Sequence, residues 1–135
     1  MNKNNFEESN TEISYPDFEQ FPVLNNKNIE KFQSLTNKQP EILREIMQSF
    51  VDESSDLLSD IEKAINGKEL KKFQEHVHTL KGLFATIGAS KLFEISKFMD
   101  EHNKQKNFDV ARKLLPKLKI NYKEVKVIIK EKFLQ

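Results

Sequence analysis

The 135-residue chain has no cysteine, no tryptophan, three glycines and four prolines. Without cysteine it can form neither a disulfide nor a thiolate metal site. Few glycines and prolines leave few breaks, which suits long helices. No apolar run approaches the roughly 20 residues that a bilayer crossing needs. The N-terminus lacks the pattern of a secretory signal. A soluble, cytoplasmic protein is expected. An excess of one charge is missing too. Lysine and arginine number 22 against 21 acidic residues, a formal net charge of +1. No bulk attraction to nucleic acid or to a membrane follows from that balance. There is no glycine-rich nucleotide loop, and no HxxxH or HExxH pair. His76 and His78 stand two apart, so on a helix they diverge and cannot share a metal. No stretch alternates with the period of two that marks a strand.

What is present is helical periodicity. Residues 1–22 are acidic and polar, with two prolines, and read as a largely disordered tail. The aromatics Tyr15, Phe18 and Phe21 could tuck against a helix, and the stretch from Phe18 to Leu24 is the part expected to dock, with residues 1–14 a solvated leader. A short helix is predicted from Asn26 to Leu35, with Ile29 and Phe32 inward and Leu35 following. Thr36 to Gln39 read as a turn. Pro40 then sits at the first position of a long helix, where proline is welcome. That helix runs to about Asn66, with Leu43, Ile46, Met47, Phe50, Leu57, Ile61, Ala64 and Ile65 inward. Asp52, Glu53, Ser54 and Ser55 form a polar interval assigned to its outer side. Asn66-Gly67 is a stop signal.

The next helix, from about Glu69 to Ile87, organises the chain. At about 100° per residue, Phe73, Val77, Leu80, Phe84 and Ile87 fall on one side as a core stripe. Roughly opposite lie Lys71, Gln74, Glu75, His78, Lys81, Gly82 and Ala85. Gly88 is the expected C-cap. A helix from Ser90 to Asn103 follows, with Leu92, Ile95 and Met99 inward. Asn103 to Asn107 read as a polar turn. The last helix starts at Phe108, its stripe being Phe108, Ala111, Leu115, Leu118, Tyr122, Val125, Ile129 and Phe133. Pro116 should kink it or split it in two. Its lysines outside that stripe read as a solvated face. Helices with one apolar stripe each, joined by short turns, pack as an antiparallel four-helix bundle. The expected fold is therefore all-α, with a short extra N-terminal helix. The bundle takes residues 23–135 and the tail 1–22.

His78 is the candidate for chemistry. An imidazole turned to solvent is a nucleophile, its neutral form well populated near neutral pH. A phosphoryl group on it would bring about two negative charges. Lys81, one turn on, can pair with that charge. Gly82 costs about 1 kcal/mol against alanine inside a helix. A glycine kept there suggests close approach of another backbone.

The run His78-Thr79-Leu80-Lys81-Gly82, with Gly88 six residues beyond Gly82, resembles the motif of the histidine phosphotransfer (HPt) domain family. The resemblance covers about residues 23–133 and is strongest over 76–92. It implies a helical bundle with the motif on its second helix. It also implies a phosphocarrier in a two-component phosphorelay. His78 would accept a phosphoryl group from a receiver-domain aspartyl phosphate or a kinase, and pass it to another receiver. Partners would be the receiver domain of a response regulator or of a hybrid histidine kinase. No cofactor of its own is implied, since Mg²⁺ would belong to the receiver. The protein would be an intermediate rather than an autonomous enzyme, and a monomer. Lys71, Lys72, Lys81 and Lys97 could complement an acidic partner, with Leu83 on the docking face. Family members often carry small residues after the lysine-glycine pair, where this chain has Leu83 and Phe84. They also tend to carry glutamine or glutamate at the position of Asp100, bonded to the imidazole. Asp100 is thus the candidate partner of His78. A non-phosphorylated, HPt-like adaptor or inhibitor that scaffolds receivers or kinases is the alternative.

Overall fold

The computed structural model describes residues 13–36, 39–103 and 107–135. The expected tail over 1–12, and the middles of the turns at 37–38 and 104–106, lie outside the described residues. A 3-10 turn, Phe18–Gln20, precedes five α-helices: α1 (Asn26–Leu35), α2 (Pro40–Asn66), α3 (Leu70–Ile87), α4 (Ser90–His102) and α5 (Asp109–Phe133). Among the described residues there is no strand. Helix α2 packs on α3, α3 on α4, α4 on α5, and α5 back on α2. This closes the antiparallel four-helix bundle, with α1 an extra helix against α3.

Each bundle helix buries one stripe. All five residues of the α3 core stripe are buried, Phe73, Val77, Leu80 and Phe84 completely. The bundle interior is aromatic, with Phe84 between Phe50 and Tyr122 and with Phe73 edge-on to Phe108. Burying a side chain of this size stabilises by about 1.5–3 kcal/mol. These contacts, rather than helix propensity, hold α3 rigid.

Four expectations need correction. Ser54 is not on the outer side; it is fully buried. It lies one turn beyond Phe50, on the stripe that faces α5. There its hydroxyl, with that of Ser55, meets the Tyr122 hydroxyl at 2.8 and 2.7 Å. A tyrosine buried in a core needs a polar partner for its oxygen, and Ser54 and Ser55 supply one. Second, Pro116 does not split the last helix, which runs unbroken from Asp109 to Phe133. Third, near Pro116 Ala111 and Leu118 face inward as expected and Val110 and Leu114 join them, while Leu115 is only half-buried. Fourth, Leu35 does not face inward. It is 70% exposed, because α1 is anchored by its other end, through Ile29.

Tyr15 and Phe18 dock as their aromatic character suggests, and docking of the N-terminal segment starts earlier still, at Ile13. Ile13 and Tyr15 already pack against the core. Tyr15 and Phe18 both lean on Phe98, with centroids at 5.1 and 6.1 Å. Glu19 bridges to Lys91 at 2.9 Å and to Lys117 at 3.7 Å. The hydrogen bond and charge of Lys91, helped by Lys117, hold the Glu19 carboxyl below its usual range. A carboxylate with a lowered folded pKa stabilises above its unfolded value, and that contribution is lost as the pH falls. Below about pH 4 the segment should therefore loosen. The Lys91 amide, which donates to the Pro22 carbonyl at 3.0 Å, reports this by faster hydrogen exchange after correction for intrinsic rates. Unchanged protection in acid would show that the aromatic contacts suffice.

Candidate functional site

The α3 helix carries the candidate residues, and its C-terminal end is fixed by Gly88. Gly88 has φ +82°, in the left-handed region. Its amide and that of Ala89 both donate to the Phe84 carbonyl. A Cβ at Gly88 would lie 2.6 Å from the Asn28 Cβ. The Gly88 carbonyl in turn accepts from the Asn25 amide at 2.7 Å. Gly88 thus ends α3 and seats the start of α1 at once. Gly88→Ala should cost roughly 3 kcal/mol, combining left-handed strain with a displaced α1. Urea denaturation measures this; a loss under about 0.5 kcal/mol would mean α1 is not seated there.

His78 is exposed on α3, opposite the core stripe, as its register demands. Among the described residues, its imidazole makes no side-chain hydrogen bond. Gly82, one turn on, is exposed, and a Cβ built there meets nothing within 4 Å. Among the described residues no neighbour requires glycine at that position. Ala85 and Thr86 continue the open strip. Thr79 and Thr86 turn their hydroxyls back onto the helix carbonyls of Glu75 and Gly82, at 3.0 and 2.9 Å. The surface is low from His78 toward Gly82, Ala85 and Thr86, while on the other side of the imidazole the exposed Glu75 stands one turn back on the same face.

The structure gives Asp100 a different partner from the expected one. Its Oδ2 accepts from Lys81 Nζ at 3.0 Å, and both side chains are 23% exposed. A charge-assisted bond to an ammonium outweighs one to a neutral imidazole. The aspartate side chain is also one methylene shorter than glutamate. The site therefore brings Lys81 and Asp100 together and leaves His78 one helical turn away. Leu83 is half-buried, and Lys71 and Lys72 are exposed on the same helix. Lys97 is half-exposed on α4.

Sequence reasoning missed the contribution of α1. A groove of about 340 Å³ between α1 and α3 is lined by Asn28, Lys31, Phe32, Leu35, Ala85 and Thr86. It opens beside the strip that holds His78, Gly82 and Ala85. The signal was Leu35, an apolar residue at the last turn of a peripheral helix with nothing left to cover it. A larger groove of about 560 Å³, between the start of α2 and the end of α5, contains none of the candidate residues.

The other histidines are occupied differently. His76 is half-buried at the edge of the α3 core stripe. His102 stacks on Phe98, with centroids 4.0 Å apart. Among the described residues no three His, Asp or Glu side chains gather as metal ligands. No helix there is long and apolar enough to cross a membrane.

Comparison with known proteins agrees with this geometry. A relative, histidine-containing phosphotransfer protein 1 of Arabidopsis thaliana, is 24% identical over 106 residues, spanning 77% of this chain and 69% of the relative. The crystal structure of histidine-containing phosphotransfer protein B (HptB) from Pseudomonas aeruginosa PAO1 superposes with a TM-score of 0.76. That match is 18% identical and covers 84% of this chain and 96% of the other. The Hpt domain family itself matches residues 45–127, most of the bundle. With its exposed histidine on the second bundle helix, the chain belongs to the Hpt domain family.

Proposed function

We propose that the protein is a phosphocarrier of two-component signalling and that His78 carries the phosphoryl group. The observation that supports this is an imidazole exposed on a well-packed helix, one turn from a glycine that no neighbour among the described residues requires. The donor is the aspartyl phosphate of a receiver domain, in a response regulator or a hybrid histidine kinase. His78 Nε2 attacks phosphorus with its lone pair while Nδ1 keeps its proton. The N–P bond forms, the P–O bond to the aspartate breaks, and the aspartate leaves as a carboxylate. Transfer to a second receiver reverses these bond changes.

The chain contributes little covalent machinery, and needs little. In phosphoryl transfer, positioning and charge neutralisation supply most of the rate. The α3 core stripe fixes the direction of the imidazole. Gly82 and Ala85 let the partner lie close, and Phe32, Leu35 and Leu83 give it apolar surface. Lys81 places a cation one turn from the transferred group. The acidic pocket and Mg²⁺ belong to the receiver.

The test is transfer from a ³²P-labelled, phosphorylated receiver domain. Labelled protein that then loses its label to a second, unphosphorylated receiver is the expected result. Stable binding of receivers with no label on this chain would favour a scaffolding adaptor instead.

A further inference from the structure

Asp100 is an unusual neighbour for a residue that must carry a dianion. Its carboxylate is held by Lys81 at 3.0 Å, with both side chains mostly shielded from solvent. Lys81 stands at i+3 from His78, so the two side chains leave adjacent turns of the same helix face. It is the α3 cation nearest to His78 in sequence. The cation that would steady a phosphorylated His78 is therefore already committed to a carboxylate.

Counting charge shows the consequence. A phosphoryl group near −2, Lys81 at +1 and Asp100 at −1 sum to about −2. With a neutral side chain at position 100 the same set sums to about −1. Lys81 has three N–H donors, so it can bridge both anions or turn to the phosphoryl group. If it bridges them, the carboxylate still faces the dianion. If it turns, the carboxylate loses its only ion-pair partner among the described residues, in a partly shielded place. Each case raises the energy of the phosphorylated protein and leaves the unphosphorylated one settled.

We propose that Asp100 is a positioning residue that holds Lys81 before phosphorylation and opposes the phosphoryl group afterwards. It thereby sets His78 to pass the group on rather than store it. This rests on His78 being the phosphoryl carrier. This repulsion, partly screened, is on the order of a tenfold effect on the transfer equilibrium.

The experiment equilibrates the full chain with fixed ratios of phosphoramidate and ammonium. In that exchange the N–P bond of phosphoramidate breaks, the N–P bond to His78 forms, and ammonia leaves. The phosphorylated fraction then gives the transfer potential with no receiver present. Asp100→Asn and Asp100→Gln should raise the equilibrium constant for uptake about tenfold, and lengthen the phosphohistidine half-life. Asp100→Glu, which keeps the charge, should stay near the wild type. High salt should narrow the difference. A purely structural role would lower the melting temperature in these variants and leave the equilibrium constant alone. Wild-type uptake with an unchanged or lowered constant in both neutral variants would overturn the inference. No uptake by the folded wild type would overturn the phosphocarrier reading, and the inference with it.

Discussion

A His78→Gln chain will fold like the wild type and take up no phosphoryl group from a phosphorylated receiver. The loss should reach the limit of detection, about a thousandfold or more, because an amide nitrogen has no available lone pair to attack phosphorus. Stability should change by less than about 0.5 kcal/mol. His78 is exposed and, among the described residues, takes part in no side-chain hydrogen bond, so its removal leaves no orphaned group. The pairing of these outcomes matters. Most substitutions that abolish a function do so by unfolding. This one separates the nucleophile from the scaffold, since α3 is held by Phe73, Val77, Leu80 and Phe84 on its other side. Label on the variant at wild-type rate would move the reaction to another residue.

Gly82→Gln should slow transfer from a receiver at least about a hundredfold, the scale expected when reacting groups are displaced by about 1 Å or more. It should also make the free protein more stable, by up to about 1 kcal/mol. The opposite signs follow from one observation. Among the described residues a Cβ at Gly82 meets nothing within 4 Å, so glycine there only costs helix propensity. On the proposed function, the compensation lies in a partner that comes close. Gly82→Ala, which adds one carbon, should share the stability gain and lose much less transfer. Stopped-flow transfer and urea denaturation on the same samples decide it. Transfer at the wild-type rate in the glutamine variant would end the close-approach argument. So would a loss of stability that accounted for the lost rate.

The two glycines of the motif therefore act by different physics. Gly82 is open to solvent, and its proposed service is to an encounter. Gly88 is buried, left-handed and wedged against Asn28, and serves the fold. Sequence alone could tell them apart only by position, one in mid-helix and one at a helix end.

Much of the fold was legible because the core positions recur with helical period. The α3 stripe was read residue by residue, and helix ends fell where Pro40, Gly67 and Gly88 signalled them. What escaped was whatever depends on another helix. Ser54 reads as polar and outward until Tyr122 is opposite it. Leu114 and Leu115 both suit the α5 stripe, and only the surrounding helices choose between them. Leu35 continues an apolar spacing but has no surface to pack on. The candidate site divides the same way. His78, Lys81 and Gly82 share a helix, so their relation follows from register. Asp100 comes from α4, and its choice of Lys81 over His78 rests on packing between helices and on the reach of one side chain.

The most direct measurement is NMR of the three imidazoles, His76, His78 and His102, before and after exposure to phosphoramidate. It reads every histidine in one sample and needs no cognate partner. The account predicts one new ³¹P resonance of a phosphoramidate type, alkali-stable and acid-labile. Long-range ¹H–¹⁵N spectra should assign it to Nε2 of His78, with His76 and His102 unmoved. Phosphorylation at His76 or His102, or none at all in a folded sample, would contradict it.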